Sequence, residues 1–144
     1  MENWSIRPFQ IGDYAEARAL WDACEGIGLD QSDSREQIQT FLTRNPGLSA
    51  VVELAGAIVG AVLCGQDGRR GFIYHLAVAR SHRRQGMGGA LVNASLAALR
   101  EQGIRKCHIM VFSHNRDASQ FWARLGAKVR TDLILSSMTI EGAV

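Results

Sequence analysis

Arg83-Arg84-Gln85-Gly86-Met87-Gly88-Gly89 decides how this chain reads. An apolar run, Phe72 to Ala79, precedes it with the character of a buried strand, and a helical run centred on Ala90 to Arg100 follows. Strand, basic glycine-rich turn and helix N-terminus together make an anion-binding device. Glycines let backbone N–H groups approach a ligand closely, and the first-turn N–H groups of a helix lack intrahelical partners at its positive dipole end. Arginines beside them match phosphate oxygens. The ligand implied is a pyrophosphate. No Gly-Lys-Ser/Thr follows, so the turn is not a P-loop, and Leu91 stands where a dinucleotide fingerprint needs its third glycine. The competing reading is a glycine turn that only tightens a strand-to-helix corner.

Outward from this turn, 144 residues suit a single domain over 1–144 with a core that needs no staples. The net charge of +2 is too small to argue for nucleic acid. Cys24, Cys64 and Cys107 are odd in number and far apart, which speaks against a disulfide framework or zinc site and for reduced thiols in a cytoplasmic protein. Met1-Glu2-Asn3-Trp4 has no basic lead into an apolar stretch, and no run is long enough for a membrane span.

Trp4–Pro8 reads as a first strand. Asp13 is a plausible cap for a helix carrying Ala15, Ala19, Leu20 and Cys24, and Ser32-Asp33-Ser34 caps a second with Ile38, Phe41 and Leu42 on one face. Leu48–Leu54 and Ala57–Gly65 form a hairpin about Ala55-Gly56. Phe72–Ala79, the helix over Gly88–Glu101, a strand over Cys107–Phe112 and a helix over Arg116–Leu125 come next. Lys128–Arg130 and Leu133–Ile140 read as two closing strands. The order β-α-α-β-β-β-α-β-α-β-β predicts an α/β fold: a mixed sheet with helices on both faces.

Element order and motif together resemble the GNAT superfamily of acyl-CoA-dependent N-acetyltransferases, most specifically from Tyr74 to Gly126. The family signature of a Leu-x-Val strand followed by Arg/Gln-x-x-Gly-x-Gly/Ala is matched by Leu76-Ala77-Val78 and then Arg83-Arg84-Gln85-Gly86-Met87-Gly88. A second family pattern is matched by Asn115, Ala118, Phe121 and Gly126. The resemblance implies a mostly antiparallel GNAT sheet and acetyl-CoA as co-substrate. It implies that the backbone of Leu76, Ala77 and Val78 pairs with the pantetheine arm, on a strand splayed from its neighbour. The turn, Arg83, Arg84, Gln85, Gly86, Met87, Gly88 and Gly89, would hold the pyrophosphate, and Asn115 would touch the pantetheine or the helix start. A backbone N–H near Leu76 would stabilise the developing oxyanion.

The reaction so implied is direct attack of an amine on the acetyl thioester, with a base to deprotonate the amine and an acid for the leaving thiolate. The tyrosine that often serves as acid in the family should follow Phe121, but Trp122 stands there, and Ala127 replaces the aromatic residue after Gly126. Of the two tyrosines, Tyr74 on the cofactor strand is the better substitute; a half-buried strand aromatic is the bland alternative, and thiolate is a fair leaving group unassisted. His75 is the candidate base, since an imidazole titrates near neutral pH, against the alternative of a packed, satisfied histidine. Strand alternation sets His75 and Leu76 on opposite faces unless the splay intervenes. Glu53 and Asp67 are alternatives acting through water, and Ser113 and His114 lie near a strand end. Trp21, Asp22, Glu25, Asp30 and Asp33 place acidic and aromatic groups where the family admits its acceptor amine.

Three functions compete at this level. The leading one is an acetyl-CoA-dependent N-acetyltransferase acting on a small amine, an amino acid or a protein amine. A non-catalytic CoA-binding module is kept alive by Trp122. A nucleic-acid binder using Arg80, His82, Arg83 and Arg84 lacks a basic stripe elsewhere and a stacking platform. Homodimer formation stays open, with Leu133, Leu135 and Met138 as an apolar contact.

Overall fold

The computed structural model describes residues 3–140, which divide into a unit ending at Phe112 and a second beginning at Ser113. In the first unit, strand β1 (Trp4–Pro8) leads through a 3-10 turn to helix α1 (Tyr14–Ala23), and a second 3-10 turn, Gln31–Asp33, leads to α2 (Arg35–Arg44). Strands β2 (Ala50–Leu54), β3 (Ala57–Gln66) and β4 (Gly71–Val78) follow, then α3 (Met87–Glu101) and β5 (Cys107–Ile109). The sheet has the order β1-β2-β3-β4-β5, antiparallel throughout except for the parallel β4–β5 pair. This is the mixed, mostly antiparallel α/β sheet that the sequence predicts.

Local chemistry accounts for most boundaries. Ser34 caps α2 by accepting from the Gln37 N–H at 3.2 Å. Ala55 and Gly56 both take positive φ, 50° and 81°, the requirement of a two-residue hairpin turn between β2 and β3. Asp13 precedes α1 as foreseen, but its carboxylate makes no cap bond to that helix; it accepts from the Gln10 N–H and pairs with Arg7 instead.

One face of the sheet buries Val51, Ala61, Leu63 and Ala77 against Ala17, Leu20 and Trp21 of α1 and Ile38 of α2. The other receives α3. A Cβ on Gly60 would lie 3.3 Å from Leu91 Cδ1, and one on Gly71 would lie 2.7 Å from Leu99 Cδ1, so bare backbone at these two positions sets how closely α3 docks. Leu91, Val92 and Leu99 are buried there, and Ser95 satisfies its buried hydroxyl on the Leu48 carbonyl at 2.8 Å.

The second unit contains helix α4 (Arg116–Arg124), capped by Asn115, whose side-chain oxygen accepts from the Ala118 N–H at 3.1 Å. The helix stops at Gly126, where φ is +98°. The two closing strands expected over Lys128–Arg130 and Leu133–Ile140 are not formed: residues 127–140 contain no strand. The apolar residues Leu133, Ile134 and Leu135 run consecutively rather than alternating, and all three are exposed. A strand is held by a ladder and a buried face, and this segment has neither among the described residues. Strand β5 is likewise shorter than the Cys107–Phe112 run suggested, with Met110 and Phe112 exposed.

Candidate active site

Strand β4 is the centre of the site, and its pairing is irregular on both edges. Against β3, Tyr74 opposes Leu63 and Ala77 opposes Ala61, so three steps along β4 match two along β3. The extra residue is a β-bulge at His75-Leu76, and His75 takes φ +52°, a left-handed conformation uncommon for a residue with a side chain. Against β5, parallel pairing covers only Gly71–Ile73 with Cys107–Ile109. From Tyr74 to Val78 that edge has no strand partner among the described residues. The β4–β5 ladder thus ends before Leu76, Ala77 and Val78, which leaves main-chain groups on that edge without a ladder partner among the described residues.

The bulge also changes which neighbouring side chains share a face. Tyr74 packs edge-on against Phe41 of α2, with ring centroids 6.2 Å apart, and stacks with Phe72. His75, the next residue, lies on Trp21 of α1 at 5.1 Å between centroids. Both side chains thus reach the side covered by α1 and α2, where strict alternation would have separated them. Burial, then the nearby Cys107, pushes the Tyr74 phenol up from its ordinary value, which keeps it protonated at neutral pH. His75 Nε2 stands 2.7 Å from Asp33 Oδ1, and the His75 carbonyl accepts from Trp21 Nε1 at 3.1 Å.

The basic turn follows the end of β4. After a 3-10 turn at Arg80–His82, Arg84 has φ +65° and Gly86 has φ +85°, and helix α3 starts at Met87 with no side-chain cap and no acidic residue in its first turn. The first intrahelical bond runs from the Ala90 N–H to the Gly86 carbonyl, leaving the N–H groups of Met87, Gly88 and Gly89 without helical partners. A Cβ added at Gly86 or Gly89 would meet nothing within 4 Å. An uncapped fifteen-residue helix, open space at its start and missing acidic neighbours fit a pyrophosphate. The two arginines differ. Arg83 donates from Nε to the Val78 carbonyl at 3.0 Å and reaches the Cys24 sulfur at 3.6 Å, so it braces the turn against the strand end. Arg84 makes no hydrogen bond or ion pair among the described residues and is available to an anion. Gln85 is exposed beside it, whereas the Met87 side chain is buried under the helix start.

The remaining candidates are occupied elsewhere. Glu53 is bound by Arg7, and Asp67 accepts from the Arg69 and Arg70 N–H groups in its own turn. Asp22 pairs with Arg18, Glu25 with Arg80, and Asp30 caps the turn that carries Asp33. Trp21 is core, 1% exposed. Asn115 and Trp122 belong to the second unit, where Trp122 is buried and its ring meets Phe121 edge-on. Among the described residues no group of His, Cys, Asp and Glu is placed to hold a metal ion, and no helix is long and apolar enough to cross a membrane. Sequence reasoning missed the partnership of Asp33 with His75, because 42 residues separate them and only the turn before α2 joins them.

Residues 14–127 match the model of the acetyltransferase (GNAT) family. The chain belongs to that family. An acetyltransferase of Yersinia enterocolitica is 33% identical over 135 residues, covering 94% of this chain and 95% of the relative. This GNAT chain is accordingly an acyltransferase enzyme by family. Among solved structures, Ard1 from Thermoplasma volcanium superposes with a TM-score of 0.76 at 24% identity, covering 85% of this chain and 81% of that one. The PaiA N-acetyltransferase of Thermoplasma acidophilum, solved in complex with coenzyme A, gives 0.75 at 18% identity over 89% and 91% of the two chains. These likenesses are of fold.

Proposed function

We propose that this GNAT protein, working as one catalytic domain over 1–144, is an acetyl-CoA-dependent N-acetyltransferase whose acceptor is a primary amine. The observation that carries the reading is the open β4 edge beside an uncapped α3 N-terminus. Leu76, Ala77 and Val78 offer main chain to the pantetheine arm. The N–H groups of Gly86, Met87, Gly88 and Gly89 take the pyrophosphate, with Arg84 and Gln85 at its rim and Arg83 bracing the turn. Bound there, acetyl-CoA supplies an acyl group activated as a thioester. His75 takes a proton from the acceptor ammonium, so that the nitrogen lone pair forms the new N–C bond as the C–S bond breaks. Tyr74, still protonated, gives its proton to the departing sulfur, and the second proton that the nitrogen sheds as the amide forms restores the tyrosinate. A backbone N–H at the Leu76 bulge stabilises the charge that develops on the acyl oxygen.

Trp122 supports a second reading, a CoA-binding module without turnover, because its buried indole does not donate protons at neutral pH. Calorimetric titration with acetyl-CoA, coenzyme A and ADP, followed by turnover against a panel of amines, separates the two. Micromolar binding of acetyl-CoA, with ADP weaker, and acetylation of at least one amine are expected. Absence of binding by all three reduces the glycine turn to a corner. Tyr74→Phe is expected to lower kcat by on the order of 10²-fold with acetyl-CoA binding retained. An unchanged kcat means that thiolate leaves unassisted.

A further inference from the structure

His75 is in an unfavourable backbone conformation that three contacts hold in place. A left-handed residue with a side chain costs about 1–3 kcal/mol and persists where its surroundings over-determine it. Here Trp21 Nε1 binds the His75 carbonyl, the Trp21 ring covers the imidazole, and Asp33 binds Nε2. Asp33 is itself fixed on every polar atom. Its Oδ2 accepts from the Asp30 N–H at 3.0 Å, and its carbonyl accepts from the Tyr14 hydroxyl and from Arg18. Its side chain is 7% exposed, so the carboxylate is largely withdrawn from water.

The other imidazole nitrogen differs. His75 Nδ1 has no hydrogen-bond partner among the described residues. Yet no buried side-chain nitrogen or oxygen there is left without a partner, so Nδ1 reaches solvent. A carboxylate only accepts, so a neutral imidazole facing it carries its hydrogen on Nε2 and its lone pair on Nδ1. We infer that Asp33 is a positioning residue that fixes His75 in the Nε2–H tautomer, leaving Nδ1 as the atom that takes the proton from the acceptor ammonium. The imidazolium then formed is held at Nε2 by the Asp33 carboxylate, the orienting arrangement known for histidine bases in general. This inference rests on the acetyltransferase reading above.

The test begins with nitrogen NMR of the wild-type imidazole in the neutral form. An Nε2–H resonance protected from exchange is expected; an Nδ1–H tautomer overturns the inference whether or not any amine is acetylated. Asp33→Asn keeps the shape but removes the charge, and is expected to give a mixture of tautomers and a kcat lower by on the order of 10²-fold, with KM for acetyl-CoA unchanged. Asp33→Glu is expected to restore part of that loss. His75→Asn is the matching variant, because asparagine tolerates left-handed backbone. In its background Asp33→Asn is expected to add no further loss of rate. Losses that multiply in the double variant, or a lower KM-independent stability with kcat untouched, overturn the positioning role. A wild-type protein that binds acetyl-CoA, shows the Nε2–H tautomer and acetylates no amine in the panel refutes the acetyltransferase reading instead, since the pairing has then been seen directly.

Discussion

Gly86→Glu is expected to abolish acetyl-CoA binding and leave the fold in place. Space does not forbid the side chain, because a Cβ at Gly86 meets nothing within 4 Å. The backbone resists it only through φ +85°, at roughly 1–2 kcal/mol. That lowers Tm by a few degrees in a chain of this length. The carboxylate, however, lands where the unpartnered N–H groups of α3 begin. It satisfies them itself, and it repels a pyrophosphate. Binding weaker by on the order of 10²-fold, about 2.8 kcal/mol, is the minimum expected by calorimetry. Gly89→Ala sharpens the test because its two effects have opposite signs. Gly89 lies inside the first turn of α3, has ordinary helical φ and faces open space. Alanine there stabilises the helix by about 0.5–1 kcal/mol, yet its methyl group enters the space proposed for phosphate. A raised Tm with weakened acetyl-CoA binding marks a ligand cradle. A raised Tm with binding unchanged means that the glycines serve only the corner.

What the sequence made legible follows from where the information sits. The turn at Gly86, the cap at Ser34 and the Ala55-Gly56 hairpin are local devices, each written in adjacent residues, and each is found where it was read. The α3 face that buries Leu91, Val92 and Leu99 is a 3.6-residue period, legible for the same reason. The bulge at His75 was not legible. It is a mismatch between two strands, and Phe72–Ala79 shows no glycine or proline to announce it. The pairing of Asp33 with His75 depends on that bulge, so it was hidden twice. The closing strands failed in the reverse direction. Leu133 to Ile140 has strand-like composition, but composition does not supply a ladder partner. The capping aspartate was half right: Asp13 sits at the helix start, while its charge is used across the chain.

Arg7→Ala is expected to be the most destabilising single change on the polar surface of the first unit, because of what it leaves behind. Arg7 holds Asp13 with two parallel bonds of 2.8 Å and Glu53 with a third of 2.8 Å. Asp13 is 8% exposed, and its remaining partner is the Gln10 N–H at 2.9 Å. The bond from Arg7 holds the Asp13 carboxyl below the usual carboxylate range, against the opposing effect of burial. Removing the guanidinium strands a buried carboxylate, at a cost on the order of 3 kcal/mol by chemical denaturation. The sign with pH follows from the same shift. A carboxyl depressed in the folded state contributes stability that is present above the unfolded value of about 3.9 and is lost as pH falls through the folded one. The wild type is therefore expected to lose stability on acidification below pH ~4, and Arg7→Ala to lose less over that window because it has already forfeited the contribution. Asp13→Asn should likewise flatten the acid limb. Parallel acid limbs for all three proteins would mean that the Arg7–Asp13 pair contributes nothing net, and that β1 and the turn before α1 are held by packing of Phe9 against Trp21.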